Sequence, residues 1–137
     1  MVEFQLIYEG GLRCTATHGP PGTAIATDAP TDNLGRGEAF SPTDLCATSL
    51  GTCMVTTMAI YAERNGIDFP AGATLDVRKI MTSEPPRRIA RIEVDMKLPL
   101  PPDHPSREEL ERVAINCPVA LSLHPYVEKA MTFDWVG

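Results

Sequence analysis

The order of elements legible in the sequence predicts an α+β fold. Three observations carry that reading. Residues 89–98, IARIEVDMKL, alternate apolar Ala90, Ile92, Val94, Met96 and Leu98 with charged Arg91, Glu93, Asp95 and Lys97, the period of a sheet with one buried and one wet face. Residues 42–64 form an apolar-rich run closed at both ends by helix-capping signals. The N-terminal part of the chain breaks into short β-prone stretches separated by glycine and proline.

Taken in order, EFQLIYEG, LRCTATHG and TAIATDAP predict three antiparallel strands, punctuated by Gly10-Gly11 and by Gly19-Pro20-Pro21-Gly22. Residues 31–40, TDNLGRGEAF, show no period and read as a loop, a place from which Arg36 and Glu38 can be aimed at a site. Ser41 then offers an N-cap, Pro42 suits the first helical position, and Asp44 stands where a capping-box acid reaches back. Asn65-Gly66 supplies the left-handed residue that ends a helix. A helix between these signals is about 35 Å long at ~1.5 Å per residue. Its apolar residues Cys46, Leu50, Cys53, Met54, Val55, Met58, Ile60 and Tyr61 cover more than one stripe, which predicts burial on most sides. Ala47, Ser49, Gly51 and Thr52 are small enough to admit another backbone.

TLDVRKIMT is a second, less regular strand, joined to IARIEVDMKL through the hairpin loop SEPPRR. PLPPDHP is a stiff connector without a regular ladder. Ser106 and Glu109 form a capping box that opens a short helix to about Ile115. Cys117 precedes Pro118, placing a thiol at the N-cap of a helix running toward Leu123. EKAMTFDWV, with Met131, Phe133 and Trp135 on one face, closes the chain as a strand. No internal repeat interrupts this order.

A chain of 137 residues predicts one domain over 1–137. Hydrophobic residues at 43% and charged residues at 22% exclude disorder. The net charge of −6, spread along the sequence, argues against nucleic acid or an anionic membrane as partner. The N-terminus lacks the pattern of a signal peptide and no stretch is expected to reach membrane-spanning length, so the cytoplasm is the expected location. Under reducing conditions Cys14, Cys46, Cys53 and Cys117 are either buried apolar filler or redox chemistry.

Other chemistries find little support. The cysteines include no C-x-x-C, and His18, His104 and His124 stand singly, so no metal site is expected. There is no G-x-S-x-G and no glycine-rich phosphate loop, and no cofactor is implied. The cysteines remain. At a helix start, Cys117 would lie near unpaired N–H groups and the positive end of the dipole, a setting that favours thiolate. Cys53, in the middle of a buried helix, would be inert unless a positive charge meets it. Arg36 is the nearest candidate in sequence and Arg13 the reserve, with Glu38 or Asp44 able to fix the guanidinium. Cys46 reads as core, and His124 as a helix-ending residue.

SPTDLCATSLGTCM on a long helix, followed later by CPVALSL, resembles the OsmC/Ohr family of thiol-dependent peroxidases. The resemblance covers nearly the whole chain. It implies an intertwined homodimer in which two long central helices pack together against antiparallel sheets, with each active site at the interface. Carried onto these positions, it makes Cys53 the peroxidatic thiolate that attacks an organic hydroperoxide and Cys117 the thiol that resolves the sulfenic acid. It implies an activating arginine, for which Arg36 is the first candidate here with Glu38 able to stand in for the acid and Arg13 in reserve, and a dithiol reductant of dihydrolipoyl type. Leu50, Met54 and Met58 would wall the peroxide pocket. One position departs from the family pattern: Thr43 stands where members typically carry the acid that holds the arginine, and Asp44, one residue on, is turned ~100° away. A redox-sensing or ligand-binding protein with weak or no turnover is therefore the alternative expectation.

Overall fold

The computed structural model describes residues 1–137 as two compact units, Met1–Cys46 and Ala47–Gly137. In the first, β1 (Phe4–Gly10), β2 (Arg13–His18) and β3 (Ala24–Asp28) form an antiparallel sheet in sequence order. The register sets Arg13 opposite Asp28 and Cys14 opposite both Tyr8 and Thr27. Only Thr27, Asp28 and Ser41 are buried in this unit, all of them polar, whereas Phe4, Leu6, Ile7, Tyr8 and Ile25 stand exposed. The loop that follows β3 contains a single 3-10 turn at Thr31–Asn33.

Helix α1 (Pro42–Arg64) has the expected ends. The Asp44 N–H donates to Ser41 Oγ at 3.1 Å, and the Ser41 N–H donates to Asp44 Oδ2 at 2.9 Å, a reciprocal capping box. At the other end Gly66 takes φ +64° while the Ile67 N–H returns to the Ala62 carbonyl at 2.9 Å, which absorbs an orphan carbonyl of the last turn. Burial within the chain differs from the expectation. Ala47, Leu50, Gly51, Met54, Met58 and Ala62 form one buried stripe, while Ile60 is exposed and Cys46, Cys53, Val55 and Tyr61 are half-buried. A Cβ on Gly51 would lie 2.9 Å from Val77 Cγ2, so the glycine lets the helix approach the side chains of a strand rather than another backbone. The helix also corrects a second expectation, because by length and apolar content alone it meets the requirements of a membrane span.

The second sheet is β4 (Thr74–Met81), β5 (Ile89–Leu98) and β6 (Glu128–Trp135), in that order across the sheet. β4 and β5 are antiparallel, and β5 and β6 are parallel. A parallel neighbour needs a crossover, which α2 (Arg107–Ile115) and α3 (Pro118–Ser122) supply. The inward residues Ile92, Val94, Met96 and Leu98 of β5 are at most 1% exposed and meet a core that also contains Leu110, Ala114 and Trp135. On the wet face Arg78 bridges Glu93 and Asp95, Arg91 binds Glu93 and Glu128, and the Thr132 hydroxyl donates to Asp95. The capping box expected at Ser106 and Glu109 does not form. Ser106 has φ −99° and ψ 11°, not the extended conformation of an N-cap, and its N–H donates to His104 Nδ1, while Glu109 pairs with Arg112.

Candidate active site

Cys53 comes from the middle of α1, and Cys117 from the residue before α3. The second position follows from local sequence. Pro118 has no N–H to lose at the first helical position, and Cys117, extended at φ −65° and ψ 157°, accepts the Leu121 N–H on its carbonyl at 3.1 Å. Although far apart in sequence, the two thiols lie near enough for Cys53 to act electrostatically on Cys117. Neither is in a disulfide. Cys117 is fully buried; Cys53 keeps part of its surface and lies 3.9 Å from the Thr57 hydroxyl.

Burial pushes the Cys117 thiol up, and Cys53 adds to that rise, while the N–H groups of Ala120 and Val119 at the helix start pull it down. No complete capping hydrogen bond to the sulfur closes. The helix start therefore does not give Cys117 the thiolate character expected of it: desolvation outweighs the few dipoles of a five-residue helix. The pair is asymmetric, one thiol reachable and the other enclosed with its proton. Leu50, Met54 and Met58 lie on the same helix as Cys53 with no exposed surface, so in the single chain they pack in the core rather than against an open pocket.

The first unit assembles a separate charged group. Arg13 Nη1 donates to Glu38 Oε2 at 3.2 Å and lies 3.7 Å from Asp28 Oδ2. Asp28 Oδ2 also accepts the Glu38 N–H at 3.1 Å, and its own N–H donates to the Phe40 carbonyl, so the carboxylate fastens the loop to β3. Arg36, the arginine singled out from the sequence, is 79% exposed in its side chain and reaches Glu38 only at 4.0 Å. Arg13, with 33% of its side chain exposed, is much the better held. Asp28 was not among the sequence candidates. Only the β2–β3 register places it across from Arg13, and two strand assignments alone do not set that register.

The remaining candidates are placed simply. Cys14 lies half-buried on β2 and Cys46 half-buried on α1, while His124 Nδ1 accepts the Tyr126 N–H at 3.1 Å in the turn before β6. No group of three or more His, Cys, Asp or Glu converges as for a metal ion. Thr43 Oγ1 lies 3.2 Å from Ser41 Oγ, within the cap of α1.

These features coincide with a known family. The family model described as OsmC-like protein matches residues 35–129, which span both cysteines, and the chain belongs to that family. It is 40% identical to a protein of Psychrobacter arcticus provisionally described as an osmotic stress induced and detoxification response protein, with 97% of this chain and 96% of that one covered and a TM-score of 0.89. The fold is shared with an organic hydroperoxide resistance protein OsmC of Legionella pneumophila, at 14% identity over 98% and 96% of the two chains and a TM-score of 0.76. An OsmC-like protein of Mycoplasma pneumoniae matches at 15% identity, 100% and 98% coverage and a TM-score of 0.79. Comparison with curated protein sequences gives no match.

Proposed function

We propose that this protein is a thiol-dependent peroxidase that reduces organic hydroperoxides through Cys53 and Cys117. The observation that carries the reading is the electrostatic coupling of a half-exposed thiol to a buried one, contributed by elements distant in sequence. The Cys53 thiolate attacks the terminal oxygen of R–O–O–H, the O–O bond breaks, and an S–O bond forms as the alkoxide takes a proton and leaves as the alcohol. The sulfur of Cys117, once deprotonated, then attacks the sulfenic sulfur, forming S–S as water leaves. A dithiol, of dihydrolipoyl type, reopens the bond by exchange, supplying the two electrons and leaving as its own disulfide.

Of the two candidate arginines, Arg13 is held by two carboxylates whereas Arg36 reaches only Glu38 at 4.0 Å, which favours Arg13 with Glu38 over Arg36 with Glu38 as the activating pair. Two chains are proposed to form a homodimer, since the apolar side chains of β1 are uncovered in one. A cytoplasmic location agrees with four free thiols. Reduced protein supplied with cumene hydroperoxide and dihydrolipoamide is expected to consume the peroxide, and Cys53→Ser to stop it completely. A Cys53→Ser protein as active as the parent would refute the reading.

One observation favours a second reading, a redox sensor without efficient turnover: Thr43 hydrogen-bonds within the helix cap and offers no carboxylate. A large gain in rate on Thr43→Glu would identify that case, and an unchanged or lower rate would support the peroxidase.

A further inference from the structure

Helix α1 carries two threonines close to Cys53 in sequence, and their hydroxyls do different things. Thr52 behaves as a helical threonine ordinarily does: its Oγ1–H turns back to the backbone and donates to the Thr48 carbonyl at 3.1 Å and the Ser49 carbonyl at 3.2 Å. Thr57 reaches the thiol instead. Its hydroxyl lies 3.9 Å from the Cys53 sulfur, and both residues are half-buried. The spacing explains the meeting. Side chains on a helix lean toward its N-terminus, so a residue four positions after Cys53 lays its side chain over the turn that carries the sulfur. Both residues belong to the second unit and to one unbroken helix, so the backbone sets their separation.

Which atom donates follows from protonation. A thiol is a weak donor, and a thiolate can only accept. While Cys53 holds its proton the pairing is long and weak; once the proton leaves, Thr57 Oγ1–H faces a full negative charge, and charge-assisted hydrogen bonds are shorter and stronger than neutral ones. Catalytic hydrogen bonds tighten in this way from a looser resting geometry. Cys117, the titratable group coupled to Cys53, is pushed by burial toward its neutral form and brings no positive charge. Thr57 is thus the donor that the unit itself places on the sulfur.

We propose that Thr57 is a catalytic residue at the Cys53 site, its hydroxyl donating to the Cys53 thiolate and sustaining the charge that attacks the peroxide. The proposal rests on the reading of Cys53 as the reacting thiol and adds a group from the same helix.

The experiment follows iodoacetamide alkylation of Cys53, on its own peptide by mass spectrometry, in the parent, Thr57→Val, Thr57→Ser and Thr52→Val. Valine keeps the branched shape and a similar helix preference but has no donor. A donor that raises the thiolate population about tenfold also blunts its nucleophilicity, with a Brønsted slope of about 0.4–0.5, so the net effect on rate is about threefold. Thr57→Val is therefore expected to alkylate about threefold more slowly than the parent at about pH 7, and the deficit to vanish by about pH 9.5, where thiols ionise without help. Thr57→Ser should restore most of the rate, and Thr52→Val should match the parent. A deficit equal at both pH values would report altered access, an unchanged rate a side chain that only fills space, and a faster rate a thiol that donates to the threonine. Each of these overturns the proposal, as does a Thr52→Val protein as slow as Thr57→Val. Should Thr57→Val not fold, Thr57→Ala and Thr57→Ser decide: equal rates overturn the proposal, and an alanine variant slower only near neutral pH supports it. No peroxide enters the measurement, so a parent that alkylates as expected yet consumes no hydroperoxide defeats the peroxidase reading and leaves the hydrogen bond to the thiolate standing.

Discussion

The first strand and the fifth are both rich in apolar residues, yet they meet opposite fates. In β5 the apolar residues Ile92, Val94, Met96 and Leu98 are buried to the last atom or nearly so, and Glu93 and Asp95 between them pair with arginines on the wet face. In β1 Phe4, Leu6, Ile7 and Tyr8 are each more than half exposed, with apolar residues on both faces of the strand. The difference teaches that the second unit completes its own core while the first does not. A unit whose three buried residues, Thr27, Asp28 and Ser41, are all polar has no hydrophobic interior of its own, and an uncovered apolar surface of this kind suits the proposed dimer.

The largest effects should come from reversing these two cases. Leu6→Glu is expected to split the proposed dimer into 14.9 kDa chains, with sedimentation showing monomer or precipitate. A charged Glu at Thr132, on the wet face of the second sheet, should leave the mass unchanged. If both variants stay dimeric, the uncovered sheet is not the interface. Ile92→Ala, by contrast, should leave the association state intact and cost about 2–5 kcal/mol in chemical denaturation, since no part of the side chain is exposed. A cost under ~1 kcal/mol would mean that the second core is looser than described.

Gly51→Ala sharpens the comparison at the helix. Alanine gains ~1 kcal/mol in helix propensity, but its Cβ meets the stiff, branched Val77 at 2.9 Å. The overpacking cost of ~1–3 kcal/mol is expected to win, giving a modest net loss that Val77→Ala relieves. The smallest effect is a pH dependence from Cys117. Its folded pKa is raised by burial above the ordinary 9.0, so the stability it contributes is fully present below that value and is lost as pH rises through the folded pKa. Denaturation of the reduced protein should weaken above about pH 9, and less so in Cys117→Ser.

Much of this was legible in the sequence because local signals and tertiary outcome agreed. The caps at Ser41 and Gly66 bound α1 where expected, and the alternation of β5 named its buried face. What was not legible depended on contacts between distant segments. The parallel pairing of β5 with β6 is decided by the crossover, not by either strand. The raised Cys117 pKa reflects burial that a five-residue motif cannot announce, although the cysteine and proline correctly marked a helix start. Arg36 was nearest to Cys53 in sequence, whereas the firm grip on Arg13 comes from a ladder partner fifteen positions away.

The central claim is that Cys53 and Cys117 are a working redox pair, and one measurement reaches it directly. Reduced protein treated with one equivalent of an organic hydroperoxide should lose two thiols per chain, and peptide mapping should find them joined as Cys53 to Cys117 with Cys14 and Cys46 still free. Retention of all four thiols, or a disulfide that involves Cys14 or Cys46 instead, would contradict it.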